Sequence, residues 1–408
     1  MKHYIILTGA ICNMGGAEMF TSNKVRYLHQ QSWKVNVFFF NRSGKILLDN
    51  LSEFKDNYLP ELRYGYYYYS PGQREKILDV LCSGISLLDE VIVESHLMNL
   101  TYWGEMMAKR CKGISILNVM EEKIARPTAG IADFIKFKMK RWEILNGSSK
   151  ALKNRYLQQW YDEGYDKYTH TLMNPLCSNV VSDIDTSIDI PATNSGINIM
   201  SIGRLDKPYI KPMFEEVHKF ISDNPGNDYN LLVVGGSPNG EVESIIKKLF
   251  ENLTNMKLYL YGYMYPVPMK LLRIVDVCIA SANSVLVTAE QGIPTISISI
   301  DDAMPLGIYG ITTNNKFVRE NEPIIPVSTW LRQVLSEGMH LCKSGVVRDP
   351  EAEFDDAFKT QLEFISRTQR KKEYYDVMKI HSTFDTLLAR IKCFYFLKTN
   401  KWEHIIIK

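Results

Sequence analysis

Cysteine is scarce in this 408-residue chain, and no two cysteines are closely spaced: the seven stand at 12, 82, 111, 177, 278, 342 and 393, with no Cys-x-x-Cys. An odd, scattered set argues against a disulfide framework and a zinc site and suits a reducing compartment. Long apolar runs are lacking as well. No window approaches the roughly 18 uninterrupted apolar residues of a spanning helix. The opening "MKHYIILTGAICNMGG" breaks at Thr8-Gly9, too soon for a signal peptide. These absences predict a cytoplasmic protein that meets a membrane, if at all, at its inner surface. A charge excess is also missing, with 48 Lys and Arg against 46 Asp and Glu, so bulk charge gives no reason to expect nucleic acid as a partner. Gly-x-Gly-x-x-Gly does not follow the first apolar run, which disfavours a dinucleotide.

What is present is alternation. A chain of this length is expected to form two domains. In the first half, 4–9, 34–40, 90–96 and 113–120 read as buried strands, with helix-like segments between them. A polar stretch from 178 to 198, rich in Ser, Asp, Asn and Thr, reads as a crossover. Its Asp183-Ile184-Asp185 has the spacing of a metal motif but not a suitable place. A second alternation follows, with strands at 197–203, 229–236, 257–262, 276–281 and 294–300. From about 352 the chain reads as helical and ends in an aromatic-basic tail. The domains are accordingly set at 1–180, linker 181–196, 197–385, and tail 386–408.

Several strand exits carry residue types suited to an anionic ligand. Gly15-Gly16 opens a helix, where backbone N–H groups are free and a ligand can approach closely. Gly203 is followed by Arg204, with Lys207 and Lys211 nearby, and such cations suit a diphosphate. Gly235-Gly236 and Gly262 end two further strands, and Asn283-Ser284 opens a short helix-like run. Each has an ordinary reading beside the functional one: a tight turn, a solvated basic face, an Asn/Ser cap. Asp301 and Asp302 are either sugar-binding carboxylates or turn formers. His96 is either a general base or a structural histidine.

The order of these elements resembles that of the GT-B glycosyltransferases, most of all the large bacterial family-4 group. The ordered series is "GGAE", "GR…K", "VVGG", a Gly after the next strand, and Gly292-Ile293-Pro294, spanning about residues 1–385. Residues 146–158 and "LMNP" at 172–175 add smaller echoes. The resemblance implies an α/β fold of two Rossmann-like parallel-sheet domains facing each other across a cleft. It also implies sugar transfer from a nucleoside-diphosphate donor, held by the second domain, to a glycan or lipid-linked acceptor in cell-surface polysaccharide assembly. Residue by residue, Arg204 and Lys211 match the pair that neutralises the donor diphosphate, with Lys207 as a competitor, and Gly15-Gly16 match the N-terminal loop. No cofactor and no metal are expected beyond the donor itself, because a fixed cation pair stabilises the leaving diphosphate.

One departure stands out in "SANSVLVTAEQGIP". In register with the two family-4 glutamates are Ile279 and Val287. In the eukaryotic-type branch of GT-B enzymes, Asn283, Ser284 and Gly292-Ile293-Pro294 fall in register, and the ribose-holding Glu alone is replaced, by Val287. Glu290, almost one helical turn on, is the candidate substitute. The first loop offers only Glu18 as an acid-base group, which points to retention, where the leaving phosphate takes the acceptor's proton. In 134–155, Ile135, Met139, Trp142 and Leu145 recur at helical spacing among Lys136, Lys138, Lys140, Arg141, Lys150, Lys153 and Arg155. That pattern reads either as a helix on an anionic membrane surface or as a core stripe with a basic flank. Two rival functions remain at this stage: a GT-B nucleotide-sugar epimerase, and a non-catalytic partner subunit, which Val287 keeps alive.

Overall fold

The structure, a computed structural model, describes residues 1–12, 15–120, 128–146, 181–182, 188–192, 196–237, 239–339, 350–367, 373–381 and 385–391. Contacts divide the chain into two compact units. One is Met1–Leu176 with Glu351–Lys408, and the other is Cys177–Pro350.

The first unit is built on a five-stranded parallel sheet in the order β2-β1-β3-β4-β5. Its elements are β1 (Lys2–Ala10), α1 (Gly16–Gln30), β2 (Lys34–Asn41), α2 (Asp49–Ser52), α3 (Pro71–Leu81), β3 (Glu90–Ser95), α4 (Met98–Cys111), β4 (Ile114–Val119), α5 (Ala129–Lys140) and β5 (Ile144–Asn146). Runs such as Tyr4–Leu7 and Val91–Val93 are buried, as a parallel sheet covered on both faces requires.

The second unit carries a six-stranded sheet in the order β13-β12-β11-β7-β8-β9, and a two-residue pairing of β6 with β10. Here β6 is Val181–Ser182, β7 Ile197–Ile202, α6 Ile210–Ser222, β8 Tyr229–Val234, α7 Glu241–Phe250, β9 Met256–Gly262 and β10 Val267–Pro268. They are followed by α8 (Met269–Leu272), β11 (Val277–Ser281), α9 (Ser284–Ala289), β12 (Thr295–Ile298), β13 (Pro305–Ile308) and α10 (Val327–Leu335). Helix α6 shows why the elements fall where they do. Ile210, Met213, Phe214, Val217, Phe220 and Ile221 recur on one face, and all are buried in the unit's core. Pro225-Gly226 follows closely and cannot continue the helix.

Two expectations are corrected. The assignment of 197–385 to the second domain ends too late. In α11 (Pro350–Arg367), Phe354 and Phe358 pack on Phe20 and Tyr27 of α1, and Val377 and Ile380 lie in the first unit's core. The apolar face of this helix is covered by the first sheet's helices, so the chain returns there. Of the stripe Ile135, Met139, Trp142 and Leu145, Trp142 is partly buried and the other three are fully buried in the first unit, which makes it a core stripe rather than a membrane-facing surface. Lys138 is buried with it, donating to Glu105, to Glu143 at 3.0 Å and to the Ser115 carbonyl at 2.8 Å. Glu105 from α4 and Glu143, just past the end of α5, turn part of what the sequence shows as a basic flank into a core ion-pair cluster. Lys150, Lys153 and Arg155 of that basic run, the 146–158 echo beyond Asn146, "LMNP" at 172–175 and the Asp183–Asp185 motif lie outside the described residues. Among the described residues no helix is long and apolar enough to cross a membrane.

Candidate functional site

In the second unit the chain winds from β7 to β8 and β9 in one direction, then returns to β11 on the other side of β7. Loops leaving β7 and β11 therefore diverge, and a crevice opens beyond their carboxyl ends, the usual ligand position in such a sheet. At the β7 exit Gly203 has φ 145°, a conformation that excludes most side chains, and Arg204 follows it. A Cβ on Gly203 would stand 3.7 Å from the Ser284 hydroxyl and 3.5 Å from the Tyr209 hydroxyl. The β11 exit passes through Ala282, held at φ 54°, into Asn283 and Ser284.

The neighbouring exits are tied to this point by backbone. Gly203 N–H donates to Val234 O at 2.9 Å, Gly235 N–H to Gly262 O at 2.8 Å, and Leu205 N–H to Gly236 O at 3.1 Å. A Cβ on Gly235 would lie 1.8 Å from the Gly203 carbonyl, so no other residue fits there. On Gly236 it would meet the Tyr263 ring at 2.8 Å. Gly262, at φ 69°, faces open space. Gly203, Gly235, Gly236, Gly262, Asn283 and Ser284 thus belong to one set of strand exits.

The cations are less available than their spacing suggests. Arg204 makes a two-point contact with Asp206, through Nε at 3.0 Å and through Nη2. That contact, aided by Lys207, holds the Asp206 carboxyl below its ordinary range. Lys207 is exposed in the turn before α6, and Lys211 is an exposed residue of the first helical turn, 3.8 Å from Glu215. Asn283 has helical backbone angles (φ −69°, ψ −18°), makes no side-chain cap, and leaves its buried Oδ1 without a partner. It is not an ordinary N-cap, whose backbone would be extended.

Other expected site residues are placed elsewhere. Val287 is 9% exposed and packs in an apolar cluster with Met200, Ile202, Val234 and Ile293. Glu290 follows the last turn of α9, about 9 Å along the axis from Ser284 at the helical rise, so it is not brought to the switch point. Asp302 is a turn former: it accepts Met304 N–H at 3.0 Å and Arg319 Nε at 2.7 Å. Burial pushes its carboxyl up, but Arg319 and the turn more than reverse this. Asp301 sits in the same β12–β13 turn, exposed, its N–H on Ser299 Oγ at 3.3 Å. In the first unit, Gly15 precedes α1 with extended backbone (φ −148°), and a Cβ on Gly16 would meet nothing within 4 Å.

His96 is buried, and both ring nitrogens are engaged, Nδ1 with Thr8 Oγ1 and Nε2 with Glu94 Oε1, each at 3.1 Å. Glu94 also accepts from Tyr4, Lys24 and, at 2.8 Å, Asn118. Burial raises its pKa, but Lys24, His96 and Asn118 overcome this and hold it well below the usual carboxylate range. A histidine this buried, with both ring nitrogens engaged, fits the structural reading of His96 better than the general-base one.

Two residues of the second unit's site went unnoticed in the sequence. Glu243, in the first turn of α7, accepts both the Ser237 N–H (2.8 Å) and the Ser237 hydroxyl, fastening the loop after Gly235-Gly236. The Tyr209 hydroxyl is bonded to Ser281, and burial, only partly offset by that bond, pushes its pKa up to about 12. An acidic residue three positions past a glycine gives no signal until the loop is folded back on it.

No protein-family model and no curated protein matches the chain. Solved structures do. A glycosyltransferase from Rickettsia africae superposes with TM-score 0.56 at 11% identity, over 98% of this chain and 99% of that one. Anabaena HepE in complex with UDP-glucose superposes with TM-score 0.51 at 12% identity, over 97% and 99%. Identities this low speak to the fold alone. With two Rossmann-like α/β units on one chain, this protein has the GT-B fold of the glycosyltransferases.

Proposed function

We propose that the chain is a GT-B glycosyltransferase, transferring a sugar from a nucleoside-diphosphate donor to a glycan or lipid-linked acceptor in cell-surface polysaccharide assembly. The observation that supports the reading is the switch point of the second sheet, where the glycine strand exits meet near the Ser284 hydroxyl and Arg204 follows Gly203 in the chain. The fold is shared with HepE, whose structure holds UDP-glucose, and the same kind of ligand suits this crevice. The glycines let a diphosphate approach main chain, and Ser284 donates to a phosphate oxygen. Arg204 exchanges Asp206 for the leaving diphosphate and stabilises the charge that develops there. Lys207 and Lys211 add point charges from the same loop and helix. With His96 sealed in the core, the leaving phosphate takes the acceptor's proton, and the sugar is transferred with retention. Val287 leaves the ribose without its usual carboxylate, so ribose recognition rests on other groups.

Thermal shift with a panel of nucleoside diphosphates and their sugars tests this. One nucleotide at about 100 times its Kd adds about 2.7 kcal/mol, and Arg204→Ala removes the response. Silence across the panel overturns the reading in favour of a non-catalytic partner subunit. Isomerisation or hydrolysis of the sugar without any acceptor makes the protein an epimerase instead.

A further inference from the structure

The carboxyl ends of α3 and α4 carry a pair of thiols that the donor site does not use. Cys82 directly follows α3, and Cys111 is the last residue of α4. The two helix ends are held side by side. Leu78 and Leu81 of α3 and Met107, Ala108 and Cys111 of α4 lie in the first unit's core, and Cys82 packs against them. Arg110 reaches from α4 to α3, with Nη2 on Asp79 and Nη1 on Glu75 Oε2 at 3.3 Å. Both cysteines are reduced, and their side chains are hydrogen-bonded to each other. Cys111 is 4% exposed, whereas Cys82 is half-buried and leads into the exposed Ser83-Gly84 turn. The Cys82 S–H donates to the Cys111 sulfur, which pushes the Cys82 thiol up and draws Cys111 down, and Arg110 favours the thiolate at both. Among the described cysteines no other two act on each other: Cys12 stands with Arg42 and Glu18, and Cys278 is bonded to Thr288.

We propose that Cys82 and Cys111 are a reversible oxidation site, which a hydroperoxide converts to a disulfide that staples α3 to α4. The Cys111 thiolate attacks the peroxide O–O bond and becomes a sulfenic acid. The hydroxide or alkoxide released takes up the thiol's proton and leaves as water or an alcohol. Cys82 then gives up its own proton and displaces the sulfenic hydroxyl, which departs as water, and the S–S bond forms. Each sulfur loses one electron, and the two electrons reduce one peroxide. Thiols already at hydrogen-bond distance have little to travel to the S–S length of about 2 Å. The ring so closed contains β3 and nearly all of α4, and closing it removes conformational freedom from the unfolded chain. A pair that is reduced here and joins on oxidation also accords with scattered cysteines that form no disulfide framework. Both thiols belong to the first unit, so the site stands whether or not the second unit binds a nucleotide.

The test reduces the full chain, removes the reductant and adds hydrogen peroxide in small excess. Remaining thiols are alkylated in denaturant, and the digest is mapped by mass spectrometry. The expected result is a peptide pair joined through Cys82 and Cys111, with the thermal midpoint of the oxidised protein raised by about 5 °C. Dithiothreitol should reverse both changes. Cys82→Ser, made at the half-buried position, should abolish the joined pair and the midpoint shift. Cys111→Ala should abolish the joined pair as well, and the peptide map reads this even if the buried substitution lowers stability. Both thiols still alkylated after peroxide would overturn the proposal. So would a sulfinic acid at either cysteine with no joined pair, or linkage of either one to a different cysteine. A joined pair that leaves the midpoint where it was would overturn the staple.

Discussion

Single residues at the second unit's strand exits differ sharply in what they tolerate. Gly235→Ala would drive a Cβ into the Gly203 carbonyl. We expect a loss of about 3 kcal/mol or more in chemical denaturation, together with loss of the nucleotide response. Gly262→Ala has room and suffers only from its positive φ, so about 1–2 kcal/mol is expected. Equal losses in the two variants would refute the account of the stitched exits. Val287→Glu places a carboxylate in an apolar cluster. The expected cost is about 2–4 kcal/mol at neutral pH, smaller below the ordinary carboxylate pKa, where the group is neutral. Tighter nucleotide binding at unchanged stability would instead show that this position faces the ligand.

At the scale of an element, α5 is the clearest case of a helix whose surface chemistry is decided by its neighbours. Lys138 is fully buried with Glu105 and Glu143 as partners. Lys138→Met would strand one or both carboxylates in the core, at an expected cost of about 3–5 kcal/mol. Replacing Lys138, Glu105 and Glu143 together by apolar residues of similar volume should cost far less. Urea denaturation of the single and triple variants checks this, and similar losses in both would mean the charges are not coupled. A combined neutralisation of Lys136, Lys138, Lys140 and Arg141 would therefore report folding as well as any membrane contact.

Across the whole molecule, acid should weaken the two units at different points. In the first, burial pushes the His3 and His381 imidazoles down, against Asp89 and Asp385 respectively. A histidine with a depressed folded pKa contributes stability that is complete above the unfolded value of about 6.5 and is lost as pH falls through the folded value. Glu94 in the first unit and Asp206, Glu243 and Asp302 in the second are carboxyls held low. Their contribution is complete above about pH 4 and is lost only below it. Hydrogen exchange at pH 5.5 against pH 7.5 should accordingly show faster opening of β1 and α1, with β7 and β8 little changed. His3→Gln should flatten that difference; a uniform response of both units would contradict it.

Much of the architecture was legible in the residues. Alternating buried runs and amphipathic helices mark both α/β units, because a parallel sheet covered on both faces needs continuous apolar strands, whatever their partners. The glycines at strand exits were legible for the same local reason: positive φ and close backbone approach leave a mark in the residue type itself. Burial of a charged or polar residue leaves no such mark. Lys138 reads as basic flank, and His96 and Asp302 each have a functional and an ordinary reading; the choice came with Glu105 from α4, the burial of His96 against Glu94 and Thr8, and Arg319 from beyond β13. The return of α11 to the first unit was hidden likewise, since an apolar helix face does not say which sheet will cover it. Sequence alone determined which segments become strands and helices, through local conformational preference and periodicity. The tertiary structure decided which polar side chains are sealed in ion pairs and which stay open to a ligand, because that depends on partners brought together only by the folded chain.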